Sequence, residues 1–229
     1  MTENRFVLLQ INDSLFPIGG YSHSYGLETY IQKGLVADEH QAVTYLQNNL
    51  KYNLCYNEFL GAKLAYDYGQ AEDMDGLTQL AIIMDAAKTP SEIRTASYKL
   101  GSRFVKSIRA MDVKIEKPIF QDYIQSGVIH KKHYALLYGL FSACVGIEYT
   151  DMIETFIYAQ TSAIVTNCVK TIPLSQTVGQ KILFQCQPVY REIVNQLKNL
   201  IIEDYGMSTP GFDIRCMQHE ALYSRIYMS

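Results

Sequence analysis

Apolar residues recur at intervals of three and four through most of the chain, and this spacing restricts the fold more than any other feature. The interval matches the α-helical turn of about 3.6 residues, so each set of such residues marks one buried helix face. Between about residues 38 and 203 no sustained strand-like alternation occurs. The pattern predicts an all-α fold of about eight to ten helices. Its apolar stripes include Val43, Leu46, Leu50 and Leu54; Leu77, Leu80, Met84 and Ala87; and Ile93, Ala96, Leu100, Phe104 and Ile108.

Local signals mark where several of these helices begin and end. Residues 89–92, Thr-Pro-Ser-Glu, have the composition of a capping box, in which the threonine accepts a backbone amide and Glu92 reaches back. Residues 38–41 are a second N-terminal signal, and Pro188 is expected to kink or split its helix. The connections are short, so we predict a single domain over residues 1–229.

Charge and composition exclude several classes of function. The chain of 229 residues has a net charge of −3, and 19% of its residues are charged, so neither nucleic acid nor an anionic membrane is an evident electrostatic partner. No apolar stretch reaches the roughly 20 residues that span a bilayer, and the N-terminal residues lack a signal-peptide pattern. We therefore expect a cytoplasmic protein. Its five cysteines suit reduced core thiols better than a disulfide framework.

The two ends of the chain differ in composition from the helical middle. Residues 7–28 combine two adjacent glycines, a proline and several hydroxyl side chains directly before an apolar helix. Residues 205–229 contain helix-breaking glycines and a proline, then a final run at helical spacing. A helix this short is marginal by itself. The tail therefore either packs on its own domain or stays flexible until a partner orders it. The residues of the final run are Leu222, Tyr223, Ile226 and Tyr227.

The run Pro-Ile-Gly-Gly-Tyr-Ser-His-Ser-Tyr-Gly at residues 17–26 invites two chemical interpretations, and its residues support neither. A nucleotide phosphate loop requires a Gly-Lys-Ser/Thr at fixed spacing after a strand, which this run lacks. Ser22, His23 and Ser24 are adjacent in sequence, so they point in different directions and cannot form a catalytic triad by themselves.

The structural interpretation of the same run is a tight turn. Gly19 and Gly20 supply unusual backbone angles, and Ser22 or Ser24 caps a helix that begins near Tyr25. On this interpretation Gly20→Val disturbs the turn and lowers solubility or assembly.

Two pairs of residues have a spacing that suits a metal ion, and each pair is incomplete as a site. His130 and His133 lie three residues apart, as do Cys216 and His219 in the tail. Thiolate and imidazole suit a borderline ion such as nickel or zinc, but a full site needs further ligands. We therefore predict no metal site and keep Cys216 and His219 as candidates.

Two groups of charged residues are notable. Lys99, Arg103 and Lys106 form a basic stripe opposite an apolar helix face, and three charges are too few for a nucleic-acid footprint, so we interpret the stripe as a solvated face. Arg225 lies between two tyrosines in the tail. An arginine flanked by aromatic residues has the composition of an interface hot spot.

Several stretches together resemble the UreF family of urease accessory proteins. Residues 15–28, LFPIGGYSHSYGLE, resemble the family signature, and residues 219–229, HEALYSRIYMS, resemble its closing Ser-Arg-Leu-aromatic-x-Ser. Residues 91–104, SEIRTASYKLGSRF, resemble its Glu-x-Arg followed by Ser and Leu-Gly, and residues 133–139 and 170–183 resemble its later helices. The chain departs from the family at its Arg before Pro-Leu-Gly-Gln, where it has a more distant lysine and Pro-Leu-Ser-Gln.

The resemblance implies an all-α homodimer that is not an enzyme. It implies assembly with a UreD/UreH-type accessory protein and a UreG-type GTPase on apo-urease, for GTP-dependent nickel insertion. The chain would need no cofactor, since the GTPase binds GTP and the complex handles nickel. The tail, residues 205–229, would order on the UreD/UreH-type partner. The implied partner-binding residues are Tyr223, Ser224, Arg225, Tyr227 and Ser229 in the tail, and Pro17, Gly19, Gly20, Ser22, His23, Ser24, Gly26 and Glu28 in the signature.

Two other classes of function stay open. A nickel-binding metallochaperone would carry the ion directly on His23, His130, His133, Cys216 or His219, and tight stoichiometric nickel binding in equilibrium dialysis would favour it. A small helical enzyme would use a cysteine or serine nucleophile, for which the sequence offers no paired base.

Overall fold

The fold is all-α, as the apolar spacing predicts. The computed structural model of the chain describes residues 4–126, 132–207 and 210–229, and over these residues it contains helices and no strand. A π-helical stretch, Leu50–Phe59, joins α3 and α4 into one continuous helix, so the described ranges contain eleven separate helices. The α-helices are α1 (Arg5–Ile11), α2 (Leu27–Gln32), α3 (Glu39–Asn49), α4 (Leu60–Ala71), α5 (Met74–Ala87), α6 (Ser91–Met111), α7 (Ile119–Gln125), α8 (Tyr134–Cys144), α9 (Tyr149–Thr171), α10 (Gln176–Gln185), α11 (Gln187–Leu197) and α12 (Pro210–His219).

Two of the predicted helix boundaries are confirmed. The Asp38 carboxylate accepts a hydrogen bond from the Gln41 amide at 2.8 Å and caps α3. The apolar stripe around Pro188 is split into α10 and α11, with the proline in the first turn of α11, where its missing N–H removes no helical hydrogen bond. The number of helices exceeds the prediction because short helices such as α1 lie outside the range from which it was made.

The predicted capping box at the start of α6 is wrong. The helix begins at Ser91 after Pro90, and no side chain caps its first amides. Thr89 instead bonds back to the Ala87 carbonyl at 3.4 Å, a long contact. Glu92 does not reach its own N-cap, because its carboxylate contacts the C-terminal tail.

Helix α8 is the centre of the core. All of its residues are buried, which is typical of a helix that is apolar all round. Its backbone lies directly against α4, since a Cβ at Gly139 would stand 2.0 Å from the Ala62 carbonyl oxygen. Tyr138 stacks on Phe156 of α9 with ring centroids 4.3 Å apart. Close backbone contact and ring stacking therefore hold the body together.

The junction between α3 and α4 contains polar groups that the sequence pattern did not indicate. Asn49, Asn53 and Asn57 form a ladder of side-chain hydrogen bonds, with Nδ2 to Oδ1 distances of 2.8 and 3.1 Å. Beside it, buried Lys88 forms an ion pair with Glu58. Burial opposes the charge of Lys88, but the Glu58 carboxylate outweighs that effect and raises the pKa of Lys88.

Two further expectations concern the whole chain. All five cysteines are free and buried, which confirms the interpretation as core thiols. No helix within the described ranges is long and apolar enough to cross a membrane.

The two ends of the chain lie together on one side of the body. Helix α12 packs against α2 and against the start of α6. The Thr29 hydroxyl of α2 donates to the Arg215 carbonyl of α12 at 2.9 Å. Phe212 forms a three-ring cluster with Tyr30 and Tyr45, and its ring centroid is 6.0 Å from each of theirs. The fold thus brings the N-terminal signature within reach of the tail.

Candidate protein-interaction site

The site is formed by two segments that the sequence singled out separately. We define the signature turn as residues 17–28 and the terminal strap as residues 220–229. The signature turn leads into α2, and the terminal strap follows α12.

The signature turn gets its shape from three residues in the left-handed region, Gly19, Tyr25 and Gly26. Gly19 has φ of 77° and Gly26 has φ of 81°. At Gly26 space is also restricted, because a Cβ there would stand 2.8 Å from the Cys216 Sγ. The expectation for Gly20 is wrong: it has no positive φ, and a Cβ at this position would meet nothing within 4 Å.

The predicted serine cap is also wrong in its details. Helix α2 begins at Leu27, and its N-cap is Gly26, which has no capping side chain. The Ser22 hydroxyl donates to the Gly19 carbonyl at 2.8 Å and so closes the turn. The Ser24 hydroxyl lies 3.4 Å from the Glu28 amide, and its shorter bond is made to the terminal strap.

The terminal strap is not helical, contrary to the spacing of its apolar residues. Helix α12 ends at His219, and the following residues form turns and bends. Tyr227 and Ser229 are buried, whereas Met228 between them is exposed. Residues 226–229 therefore alternate between outward and inward side chains, as in an extended segment, whereas residues 223–225 are all exposed.

The end of the strap is hydrogen-bonded to the signature turn. The Ser229 carbonyl oxygen accepts from the Ser24 amide at 2.6 Å, the Tyr25 amide at 3.1 Å and the Ser24 hydroxyl at 2.8 Å. The Ser229 Oγ lies 2.9 Å from His23 Nδ1, and the Met228 amide donates to the Ser22 carbonyl at 2.8 Å. Five contacts thus fix the last two residues.

Glu28 is the anchor for the middle of the strap. Its side chain is buried, and its carboxylate accepts from the Ile226 amide at 2.7 Å and from the Tyr227 amide at 3.2 Å. The same carboxylate lies 3.1 Å from His219 Nε2. A buried carboxylate is costly without such partners, so the strap and Glu28 stabilise each other.

His219 joins Glu28 to Glu92 of α6. Its Nδ1 lies 2.7 Å from one Glu92 oxygen, and the other Glu92 oxygen accepts from Arg225 Nη1 at 2.7 Å. His219 therefore links the two carboxylates through its two ring nitrogens, and Arg225 forms an ion pair with Glu92. We call Glu28, Glu92, His219 and Arg225 the charge network.

Helix α9 contacts both the signature turn and the strap. The Asn167 side chain donates to the His23 carbonyl at 2.9 Å, and the Thr171 hydroxyl lies 3.3 Å from the Tyr227 hydroxyl. Burial, and next the charges of Lys99 and Arg103, lower the pKa of His23 to about 4. His23 is therefore neutral near pH 7. Sequence reasoning missed Glu92, Asn167 and Thr171 as members of the site.

The structure does not assemble the metal candidates into a site. Cys216 is a buried thiol, and burial raises its pKa to about 12, so it is not a ready thiolate ligand. His219 is occupied by two carboxylates. His133 is buried in the body with its Nδ1 3.1 Å from the Ser97 hydroxyl, and His130 lies outside the described residues. Within the described parts of the chain no group of three His, Cys, Asp or Glu residues is placed to hold a metal.

The partner-binding residues implied by the resemblance fall into two sets. Ser22, His23, Ser24, Gly26 and Glu28 lie against the strap or against α12. Arg225, Tyr227 and Ser229 belong to the same set, because they bond to Glu92, Glu28 and the signature turn. The second set is less buried: Pro17, Tyr223 and Ser224 are exposed, and Gly19 and Gly20 are half-buried. A flexible tail finds little support in residues 210–229, since the strap is bonded along its length to the body. The structure thus favours the alternative in which the tail packs on its own domain.

Fold and site together define an all-helical protein in which the two ends of the chain form one surface. The family model described as UreF matches residues 36–187. The urease accessory protein UreF of Actinobacillus pleuropneumoniae serotype 5b (strain L20) is 34% identical over 225 residues, which cover 97% of each chain. The protein of the same description from serotype 3 (strain JL03) matches with the same identity and coverage.

The chain belongs to the UreF family of urease accessory proteins. This confirms the family predicted from the signature and the closing motif. An accessory protein is by its class distinct from the enzyme that it serves, so the metallochaperone and scaffold hypotheses are the ones to compare. The structure gives the first of these no assembled ligand set among the described residues.

Proposed function

We propose that this chain is a scaffold that forms a complex with a UreD/UreH-type protein and recruits a UreG-type GTPase, for GTP-dependent insertion of nickel into apo-urease. The observation that carries this proposal is the division of the strap into a held face and a free face. The held face is bonded to the signature turn, and the free face is available to another protein. Nickel is the cargo of the complex, and GTP is bound by the GTPase.

The free face of the strap has the composition of a protein interface. Tyr223, Ile226 and Met228 are 106%, 74% and 53% exposed. Exposed aromatic and methionine side chains close together are enriched in interface cores. Ile226 and Met228 are held in position because their neighbours Tyr227 and Ser229 are buried, so binding through them loses less free energy to ordering of the strap.

Arg225 supplies the polar part of this face. Its side chain is 41% exposed, and its Nη1 bonds to Glu92. A guanidinium has five N–H donors, so the rest of the group can bond to a carboxylate or carbonyl of a partner. Arginine held in place by one ion pair is a common anchor of interfaces.

Removal of the strap tests the proposal. A chain that ends at residue 219, and Arg225→Ala in the full chain, should keep nearly unchanged helicity but fail to co-purify with the UreD/UreH-type protein. Arg191→Ala, which removes an exposed arginine on α11, is the matched control and should co-purify normally. Complex formation by the truncated chain at the level of the intact one would contradict the proposal.

The same proposal includes two copies of the chain and a cytoplasmic site of action. A homodimer would hold two GTPases in one complex, so that their GTP state is linked to release of nickel. Light scattering of the purified chain, alone and with the two accessory proteins, measures the number of copies. A strictly monomeric chain within an active complex would overturn this part of the proposal and leave the strap surface in place.

A further inference from the structure

A second surface lies beside the signature turn, on the outer face of α6. Lys99, Arg103 and Lys106 are exposed there, opposite the buried face that carries Phe104. None of the ion pairs formed among the described residues includes these three cations. In the described parts of the chain the stripe is therefore a row of exposed positive charges that take part in no ion pair.

An exposed apolar ledge adjoins the stripe. Leu15 is 89% exposed and Leu9 is 53% exposed, and together with Pro17 they border an open hollow of about 470 Å³. Asp13 also borders this hollow, but its carboxylate accepts from the Leu15 amide at 2.7 Å and is used within the turn. Gln10 also lines the hollow, so its walls combine the exposed apolar side chains of the ledge with polar ones.

The stripe and the ledge are held together as one surface. Arg103 Nη1 donates to the Ile18 carbonyl at 3.1 Å, directly after the ledge. Phe16, which lies beneath the ledge, packs on Phe104 of α6 with ring centroids 6.1 Å apart. The charges of Lys99 and Arg103 also contribute to the low pKa of His23, so their field extends into the signature turn.

We propose that this surface, Lys99, Arg103 and Lys106 with Leu9, Leu15 and Pro17, binds an acidic segment of a protein partner that also carries apolar residues. Charge complementarity identifies the acidic part, and the ledge identifies the apolar part. Nucleic acid fits less well because three cations neutralise few phosphates and a leucine ledge offers no base contact. An anionic membrane fits less well because the chain carries a net charge of −3. The inference rests on the proposed function only in taking the occupant to be a protein of the urease-maturation complex.

A peptide probe tests the surface without the partners. The probe is a short fluorescein-labelled peptide in which leucines alternate with pairs of glutamates, titrated with the full chain at about 50 mM and about 300 mM NaCl. Lys99→Gln/Lys106→Gln should weaken binding about fivefold to tenfold at the lower salt, and less at the higher salt. Lys181→Gln/Lys198→Gln removes the same charge from exposed positions of α10 and of the segment after α11, and should leave binding unchanged.

Other occupants give different results in the same assay. Binding of a short DNA duplex or of vesicles with anionic lipids, with none of the peptide, would overturn the proposal in favour of those ligands. Altered self-association of the Lys99→Gln/Lys106→Gln chain, with unchanged peptide binding, would assign the surface to a second copy and also overturn it. Leu15→Ser should weaken binding of the peptide but leave the salt dependence of binding unchanged, because the substitution removes only the apolar contact.

The partners themselves separate this inference from the proposed function. The association rates of the purified UreD/UreH-type protein, UreG-type GTPase and apo-urease are measured with each variant. A rate about tenfold lower for one partner with Lys99→Gln/Lys106→Gln supports the inference. If the unchanged chain binds no partner but peptide binding depends on the stripe, the proposed function fails and the inference stands. If the partners assemble, but neither their association rates nor peptide binding depends on the stripe, the inference fails and the proposed function stands.

Discussion

The body around α8 and the signature–strap site are stabilised by opposite kinds of interaction. In the body, α8 is buried on all sides, and Gly139 lets α4 approach to backbone contact. In the site, buried Glu28 contacts His219 and accepts a hydrogen bond from the Ile226 amide of the strap. Apolar packing is lost only by unfolding, whereas a hydrogen-bonded segment at the end of the chain can separate from an intact body. The strap can therefore separate from the signature turn without loss of the fold.

The largest effect is expected from Gly139→Val, which acts on the body. The added side chain would clash with the Ala62 carbonyl, so α4 and α8 must separate. We expect a loss of about 4 kcal/mol in the free energy of unfolding and a melting temperature lower by about 10 °C, measured by circular dichroism. Gly20→Val is the matched control. Because nothing lies within 4 Å of its added Cβ, we expect a change within about 0.5 kcal/mol. A larger loss of unfolding free energy for Gly20→Val than for Gly139→Val would contradict the conclusion that Gly139 is closely packed and Gly20 is not.

An intermediate effect is expected from pH, through His23. Its pKa is about 4 in the folded chain, against 6.5 for a solvated histidine, so the unfolded chain takes up the proton first as the pH falls. The contribution of neutral His23 to the free energy of unfolding is fully present above pH 6.5. It is lost as the pH falls towards 4, and the total loss is about 3 kcal/mol. Denaturant titrations at a series of pH values give the free energy of unfolding as a function of pH. The slope of this plot between pH 4 and 6.5 should therefore differ between the intact chain and His23→Gln. Substitution of exposed His40 by glutamine should leave the slope unchanged. Equal slopes for the intact chain and His23→Gln would show that this histidine is solvated.

The smallest effect on the stability of the body is expected from Glu92→Gln. This substitution should act selectively on the docking of the strap. The amide cannot accept from both His219 and Arg225 with the strength of a carboxylate, so the strap should loosen by about 1 to 2 kcal/mol. Tryptic cleavage after Arg225 should become about 5 to 30 times faster, while the melting temperature changes by only a few degrees. Glu154→Gln, on an exposed position of α9, should change neither. Parallel loss of strap and body stability would contradict the independence of the two regions.

The body was largely predictable from the sequence because its signals are local. Helical spacing identifies buried faces such as Leu100, Phe104 and Ile108, and the Asp38 cap depends on an amide three residues away. The Pro188 split follows from the missing N–H. Short α1 escaped detection, because a helix of seven residues carries too few periodic positions.

The site was only partly predictable because its bonds join distant residues. The signature and the strap were both identified, but no local pattern reveals that Glu28 binds amides near the other end of the chain. Glu92 was assigned to a capping box, and the competing contacts with His219 and Arg225 prevail because they are charge-assisted. The helical spacing of apolar residues in the strap predicted a helix, and this prediction is wrong. Hydrogen bonds from the Ile226 and Tyr227 amides to distant Glu28 hold this part of the strap extended.

Hydrogen exchange of the Ile226 and Tyr227 amides in the isolated chain tests the central claim most directly. Both amides donate to buried Glu28, so we predict that they exchange about 10 to 100 times more slowly than unprotected amides, and that Glu28→Gln removes most of this protection. Exchange of both amides at the unprotected rate in the intact chain would show that the strap is not docked on the signature turn, and would contradict the account.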